Sequence, residues 1–111
     1  MSAVQSVKTS EFDRLASEGI VVVDFWAQWC GPCKRMLPEL DAAAVELAGL
    51  AKFVKVDVDE EPELAMRFGV QGVPNLTILS GGQVVDRVIG RMPKATIVAR
   101  VRKVLGTARV A

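Results

Sequence analysis

The chain has 111 residues, half of them hydrophobic, which is long enough for one domain with a substantial core. Its formal net charge of +1 comes from 14 basic and 13 acidic residues, and no basic stripe with interleaved aromatics indicates a nucleic-acid partner. The longest apolar runs fall far short of the roughly 20 residues that span a bilayer, and residues 1–8 lack a secretion-signal pattern. We therefore expect a single cytoplasmic domain over residues 1–111, with a trimmed secreted form as the alternative and with no nucleic-acid or membrane partner. A monomer is also expected.

Strand-like and helix-like segments alternate in the first part of the chain. Residues 3–7 suit a short edge strand. A first helix is expected to begin at Thr9 or Ser10, either of which can cap it, and to stop by Gly19. Residues 20–26 are β-branched and almost continuously apolar, which predicts a strand buried on both faces.

The middle of the chain repeats this alternation. From Pro32 to Leu47, apolar residues recur at helical spacing, and Pro32 suits the first helical position because its missing N–H is not needed there. Residues 53–58 predict the next buried strand, and residues 61–68 predict a short helix. The acidic run over residues 57–61 is expected to be a solvated face.

The last third predicts a hairpin and a final helix. Residues 76–79 and 83–89 are apolar, β-branched runs on either side of a Gly-Gly turn, which is typical of two antiparallel strands. A helix is expected from about Pro93 to Leu105, ended by the glycine that follows, with residues 107–111 as a frayed tail. The whole order predicts an α/β fold, a mixed five-stranded sheet flanked by four helices that cover both faces.

The two cysteines of the chain, Cys30 and Cys33, lie between a predicted strand and a predicted helix. The chain has no histidine and no third cysteine, so a zinc site would need cysteines from two chains. The spacing alone also allows a pair of small buried core residues. The third interpretation is a redox dithiol. It is favoured by the order of the surrounding features, which is a strand, an aromatic residue, the Cys-x-x-Cys motif and then a helix.

As a redox dithiol, the pair would be asymmetric. Cys30 would lie just ahead of the helix, where unsatisfied N–H groups and the positive end of the helix dipole favour the nucleophilic thiolate. Cys33 would lie one turn further in and be more buried, so we expect Cys30 to attack and Cys33 to resolve. Gly31 and Pro32 add no charge between them, and the absence of a histidine there suggests a reducing pair.

Asp24 interrupts the apolar run of the second predicted strand. Buried, it would have a raised pKa and be a candidate general base, whereas at a strand end it would simply be solvated. Lys55 is the matching anomaly in the next strand, and it is either a surface lysine or the partner of Asp24 in a coupled pair.

Trp29 and Val73-Pro74 are the remaining anomalies. Trp29 precedes Cys30 and either packs internally or forms an apolar lip for a protein substrate. Pro74 follows Val73 at the start of a predicted strand, where a trans bond is the default because only about 5–6% of X–Pro bonds are cis.

From about residue 4 to residue 106, the sequence resembles the thioredoxin family. The resemblance rests on segments that follow one another in family order: Val23-Asp24-Phe25-Trp26-Ala27, Trp29-Cys30-Gly31-Pro32-Cys33-Lys34, Pro38, Lys55-Val56-Asp57-Val58-Asp59, Gly72-Val73-Pro74, Gly81-Gly82 and Gly90. It implies a thioredoxin fold and protein-disulfide reduction through a redox disulfide between Cys30, the nucleophile, and Cys33, the resolving thiol. Asp24 would manage the proton of Cys33 through water, as general acid and base, and Lys55 would tune Asp24.

The resemblance also implies a cis bond before Pro74 and an apolar surface that receives an extended substrate segment. That surface would comprise Trp29, Gly31, Pro32, Val73, Pro74 and Gly90. No cofactor or metal would be bound, because electrons would come from NADPH through a separate flavoprotein, thioredoxin reductase, and this chain has no dinucleotide-binding glycine motif. The expected partners are that reductase and disulfide-containing client proteins.

Two alternatives and three departures remain open. The same motif would serve a thiol oxidase or isomerase in an oxidising compartment, and the same surface would serve a non-catalytic binding subunit. Asn75 stands where family members usually carry threonine, and Arg91 and Met92 follow Gly90 where a small residue is common. These departures bear on partner preference more than on the chemistry.

Overall fold

The computed structural model describes residues 3–110, with side chains described up to residue 107. Five strands and four helices form within the described residues. In chain order they are β1 (Gln5–Ser6), α1 (Thr9–Ala16), β2 (Ile20–Trp26), α2 (Gly31–Glu46), β3 (Lys52–Asp57), α3 (Pro62–Arg67), β4 (Asn75–Ser80), β5 (Gln83–Ile89) and α4 (Lys94–Val110).

The five strands form one mixed sheet in the order β1-β3-β2-β4-β5. β1 and β2 run parallel to β3, whereas β4 runs antiparallel to both β2 and β5. The predicted mixed sheet, the predicted bounds of β2 and β5, and the Gly-Gly hairpin are confirmed. The sheet places β2 at its centre, so the segment that follows this strand emerges from the middle of the molecule.

Helices cover both faces of the sheet. Side chains alternate between these two faces along β2, so this strand contributes to the core on each side. Val22 belongs to the core beneath α2 and α4, together with Leu40 and Ile97. Val21, Val23 and Phe25 belong to the opposite core beneath α1 and α3. By this alternation, Asp24 points to the same side as Val22, which is the side covered by α2.

The predicted cap of α1 is wrong. Lys8 is the N-cap residue, and its N–H donates to Glu11 Oε1 at 3.0 Å. Thr9 instead donates from both its N–H and its hydroxyl to Glu61 Oε1, at 2.8 and 2.9 Å. The threonine is therefore used to hold α1 against the start of α3, a contact that local sequence rules do not anticipate.

The predicted end of α4 is also wrong. The helix continues past Gly106 to Val110, so Thr107–Val110 are helical and are not a separate tail. A glycine ends a helix when it takes a left-handed conformation, and Gly106 is not among the glycines with positive φ. The Thr107 hydroxyl donates to the Lys103 carbonyl at 3.1 Å, as it does within a continuing helix. Ala111 lies outside the described residues.

Candidate functional site

Cys30 and Cys33 form a disulfide at the junction of β2 and α2, with their Cα atoms 5.2 Å apart. Cys30 is the N-cap residue of α2, and its Sγ accepts a hydrogen bond from the Cys33 N–H at 3.2 Å. Gly31, rather than Pro32, is the first helical residue, so Pro32 is second. Cys30 thus stands where the helix dipole and an unsatisfied N–H both favour negative charge on sulfur.

The two sulfurs differ in their access to solvent. Cys30 is 4% exposed and Cys33 is 0% exposed. Both pack with Ala27, and Trp26, Val58 and Val73 lie around them. Of the two cysteines, the one at the helix cap is therefore the one with any exposure to solvent.

Asp24 is 0% exposed, and neither of its carboxyl oxygens has a hydrogen-bond partner among the described residues. Burial raises the pKa of Asp24 to about 7, and the positive charge of Lys55 opposes this rise. The alternative of a solvated strand-end carboxylate is thereby excluded. A buried carboxyl with a pKa near neutrality can both accept and return a proton.

Lys55 lies directly opposite Asp24 in the parallel register of β2 and β3. Its Nζ lies 5.3 Å from the centre of the Trp26 ring. It is partly exposed and lines an open cleft of about 260 Å³ at the ends of β1 and β3. The structure therefore places the predicted partner lysine opposite Asp24 on the neighbouring strand, close enough for its charge to act on this carboxyl.

Trp29 is 71% exposed, which excludes the alternative of internal packing. Its indole N–H donates to Asp59 Oδ2 at 2.9 Å. The role of Asp59 was not predicted, because this residue lies in the acidic run assigned to a solvated face. Its carboxylate fixes the orientation of an exposed aromatic ring directly beside the disulfide.

The loop before β4 meets the end of β5 beside the disulfide. The Val73–Pro74 peptide bond is cis. This agrees with the family resemblance and differs from the trans bond expected by default. The Val73 carbonyl oxygen lies 3.8 Å from Cys30 Sγ, and the Pro74 carbonyl accepts the Gly90 N–H at 2.9 Å. Gly90 has a φ of +104°, which L residues with side chains rarely adopt.

The three departures from the family pattern have different surroundings. Asn75 is buried, and its Oδ1 accepts the Thr77 hydroxyl at 2.9 Å, so the amide is held within β4. Met92 is buried in the core beneath α2 and α4. Arg91 is exposed.

Within residues 3–110, no helix is long and apolar enough to cross a membrane. In the same part of the chain, no three histidine, cysteine, aspartate or glutamate side chains are grouped in a way that would hold a metal ion.

Comparison with known proteins identifies the family. The sequence profile of the family called Thioredoxin matches residues 3–103. The chain belongs to the thioredoxin family. Thioredoxin 1 of Nostoc sp. is 46% identical over 99 residues, covering 87% of this chain and 92% of that protein. The thioredoxin of Synechocystis sp. is 43% identical over 107 residues, covering 95% of this chain and all 100% of that protein.

A solved structure supports the same assignment. The thioredoxin of Malassezia sympodialis, called Mala s 13, superposes with a TM-score of 0.82 at 33% sequence identity, covering 93% of this chain and 91% of that one. The fold is the thioredoxin fold, with its mixed five-stranded sheet and four helices. The protein is a general protein-disulfide oxidoreductase of the thioredoxin type, and Cys30 and Cys33 are its redox-active pair.

Proposed function

We propose that Cys30 is the nucleophile with which this thioredoxin attacks the disulfide of a client protein. Cys30 Sγ accepts the Cys33 N–H in the disulfide form and lies at the positive end of α2, and in the reduced protein both features would stabilise a Cys30 thiolate. It bonds to one client sulfur, the client disulfide breaks, and the other client sulfur leaves as a thiolate. The observation that carries this assignment is the position of Cys30 at the helix cap, together with its being the partly exposed residue of the pair.

Cys33 then resolves the mixed disulfide. Its sulfur attacks Cys30, the Cys30–Cys33 disulfide forms, and the client departs with both sulfurs reduced by the two electrons of the dithiol. Cys33 must first lose its proton, and Asp24 takes it as general base and later releases it. Asp24 points to the α2 side of β2, the side on which Cys33 lies, and its pKa of about 7 suits both directions of transfer. Lys55 keeps that pKa from rising further.

The client binds as an extended segment across the surface around Cys30. The residues that form this surface are Trp29, Gly31, Pro32, Val73, Pro74 and Gly90. The exposed ring of Trp29 offers apolar area, and the Val73 carbonyl lies 3.8 Å from the reacting sulfur. Such a contact set suits many clients, because it depends on backbone and apolar contacts more than on particular client side chains.

The oxidised protein is returned to its dithiol by an NADPH-dependent flavoprotein, thioredoxin reductase, and no cofactor is held by this chain. The named thioredoxins of Nostoc, Synechocystis and Staphylococcus aureus, the last of which is 41% identical over 95 residues, are the basis for assigning this partner. A reducing dithiol suits the cytoplasm, where disulfides are kept reduced, and we assign the protein there as a monomer of one domain.

Single-cysteine variants test the roles of the two thiols. Cys33→Ser should accumulate mixed disulfides with a disulfide-containing client peptide, detected as a mass increase that dithiothreitol reverses. Cys30→Ser is the matched control and should accumulate none, because Cys33 is 0% exposed. Trapping by Cys30→Ser but not by Cys33→Ser would reverse the assignment.

A further inference from the structure

Arg35 lies beside the redox motif, although nothing in the Cys-x-x-Cys chemistry calls for it. It is one helical turn after Gly31, and its guanidinium folds back toward the start of α2. Its Nη1 lies 3.2 Å, and its Cζ 3.9 Å, from the position that a Cβ on Gly31 would occupy. The guanidinium therefore covers the residue that directly follows Cys30.

This position is electrostatically unfavourable for a cation. The first turn of a helix carries the positive end of the dipole, and acidic rather than basic side chains are stabilised there. The natural partner on the same helix face is Glu39, four residues further on. Glu39 Oε1 instead accepts the Lys94 N–H at 2.9 Å, and no ion pair joins Glu39 to Arg35 among the described residues.

Two more cations directly follow residues of the site. Lys34 is the next residue after Cys33, and Arg91 follows Gly90 at the end of β5; both are exposed. None of the three forms an ion pair within residues 3–110. The acidic side chain that lies against Trp29, Asp59, is engaged by the indole N–H. All three cations are thus free to pair with a carboxylate of another molecule, although Asp59 keeps its own negative charge beside Trp29.

We propose that Arg35 is a specificity-determining residue that pairs with a carboxylate of the client protein, and that this thioredoxin prefers disulfides flanked by aspartate or glutamate. The inference rests on the proposed function, since it concerns the client surface of the same site. Arg35 covers Gly31, the residue next to Cys30, so the carboxylate belongs close to the attacked cysteine in the client, within a few residues at about 3.3 Å per residue. Charge complementarity selects this occupant over a neutral or basic segment.

A matched set of peptides tests the preference. Each peptide pair is joined by one disulfide and carries aspartate, asparagine or lysine two residues from the cysteine. The rate of reduction by the pre-reduced protein is measured at low and at high salt. Wild type should reduce the aspartate peptide about two- to fivefold faster than the asparagine peptide, the range that exposed ion pairs give. Salt near 1 M should abolish the difference, because screening then acts within about 3 Å.

Variants of Arg35 locate the effect. Arg35→Gln should remove most of the advantage of the aspartate peptide, since only Lys34 and Arg91 then remain, while leaving the rate for the asparagine peptide unchanged. Arg35→Glu should reverse the preference toward the lysine peptide. Arg14→Gln is the control that removes the same charge elsewhere. Arg14 is exposed near the end of α1, and α1 leads into the start of β2. The disulfide follows the other end of β2. This control should keep the preference of the wild type.

The outcomes separate the two proposals. An equal loss of rate on all three peptides with Arg35→Gln would mean that Arg35 acts on the dithiol itself, and it would overturn the proposed selectivity. Unchanged rates on all peptides would overturn it as well. Failure of the wild type to reduce any of the peptides would instead refute the proposed function on which the inference rests.

Discussion

Replacing Asp24 by asparagine should remove a pH dependence of stability that this one carboxyl creates. Burial raises the pKa of Asp24 from 3.8 to about 7 in the folded protein, whereas unfolding returns it to its ordinary value. Between these two values the folded state binds more protons than the unfolded state, so stability falls as pH rises. Above the folded pKa, the protein must bury an ionised carboxylate.

The magnitude follows from the same pair of values. The full difference corresponds to about 4 kcal/mol, because one pKa unit is worth about 1.4 kcal/mol. Between pH 5 and pH 8, the free energy of unfolding of the wild type should therefore fall by about 2 to 3 kcal/mol. The chain has no histidine, so few other side chains titrate in this interval.

The assay is denaturant unfolding of the oxidised wild type and of Asp24→Asn at pH 5 and pH 8. The disulfide keeps both cysteines from titrating, so the comparison isolates the carboxyl. The amide introduced by this substitution would also be buried, and its desolvation cost is the same at both pH values. The change between pH 5 and pH 8 is therefore the quantity to compare. An equal fall in wild type and variant would refute the assignment of this pH dependence to Asp24.

Three further substitutions probe the same geometry. Lys55→Met removes the charge that lowers the pKa of Asp24, so the midpoint of the pH-dependent stability loss should move to higher pH. Trp29→Ala should raise the KM for a disulfide peptide about fivefold through lost apolar contact, while alkylation of Cys30 by iodoacetamide stays unchanged. Leu40→Ala empties a fully buried position and should lower the free energy of unfolding by about 3 kcal/mol in denaturant titrations, without changing the peptide KM.

The local sequence pattern was sufficient to predict the bounds of strands β2 and β5. Ile20–Trp26 is buried on both faces, so its continuous apolar run identifies the strand and both its ends. The bounds of β5 follow from the Gly-Gly turn before it and the positive-φ glycine after it. In both cases the residue types alone, apolar residues in β2 and flanking glycines for β5, determine where the strand begins and ends.

Other features of the site and the fold depend on contacts between residues that are distant in the sequence, which a local pattern does not contain. Asp24 is buried because β2 is central in the sheet and α2 covers its face, and neither fact is local to the strand. The position of Lys55 opposite Asp24 depends on the parallel register of β2 and β3. The cap of α1 was missed because Thr9 bonds to Glu61, 52 residues away. The end of α4 was missed because Gly106 can take either helical or left-handed dihedrals.

The pKa of the Cys30 thiol in the reduced protein tests the account most directly. Alkylation by iodoacetamide, followed against pH in the Cys33→Ser variant, reports Cys30 alone, and the residue 33 N–H remains as a donor. We expect the thiol to titrate well below the value of about 8.5 of an ordinary cysteine, because the helix N-terminus and this N–H stabilise the thiolate. A midpoint at or above about 8.5 would contradict the proposal that Cys30 is an activated nucleophile.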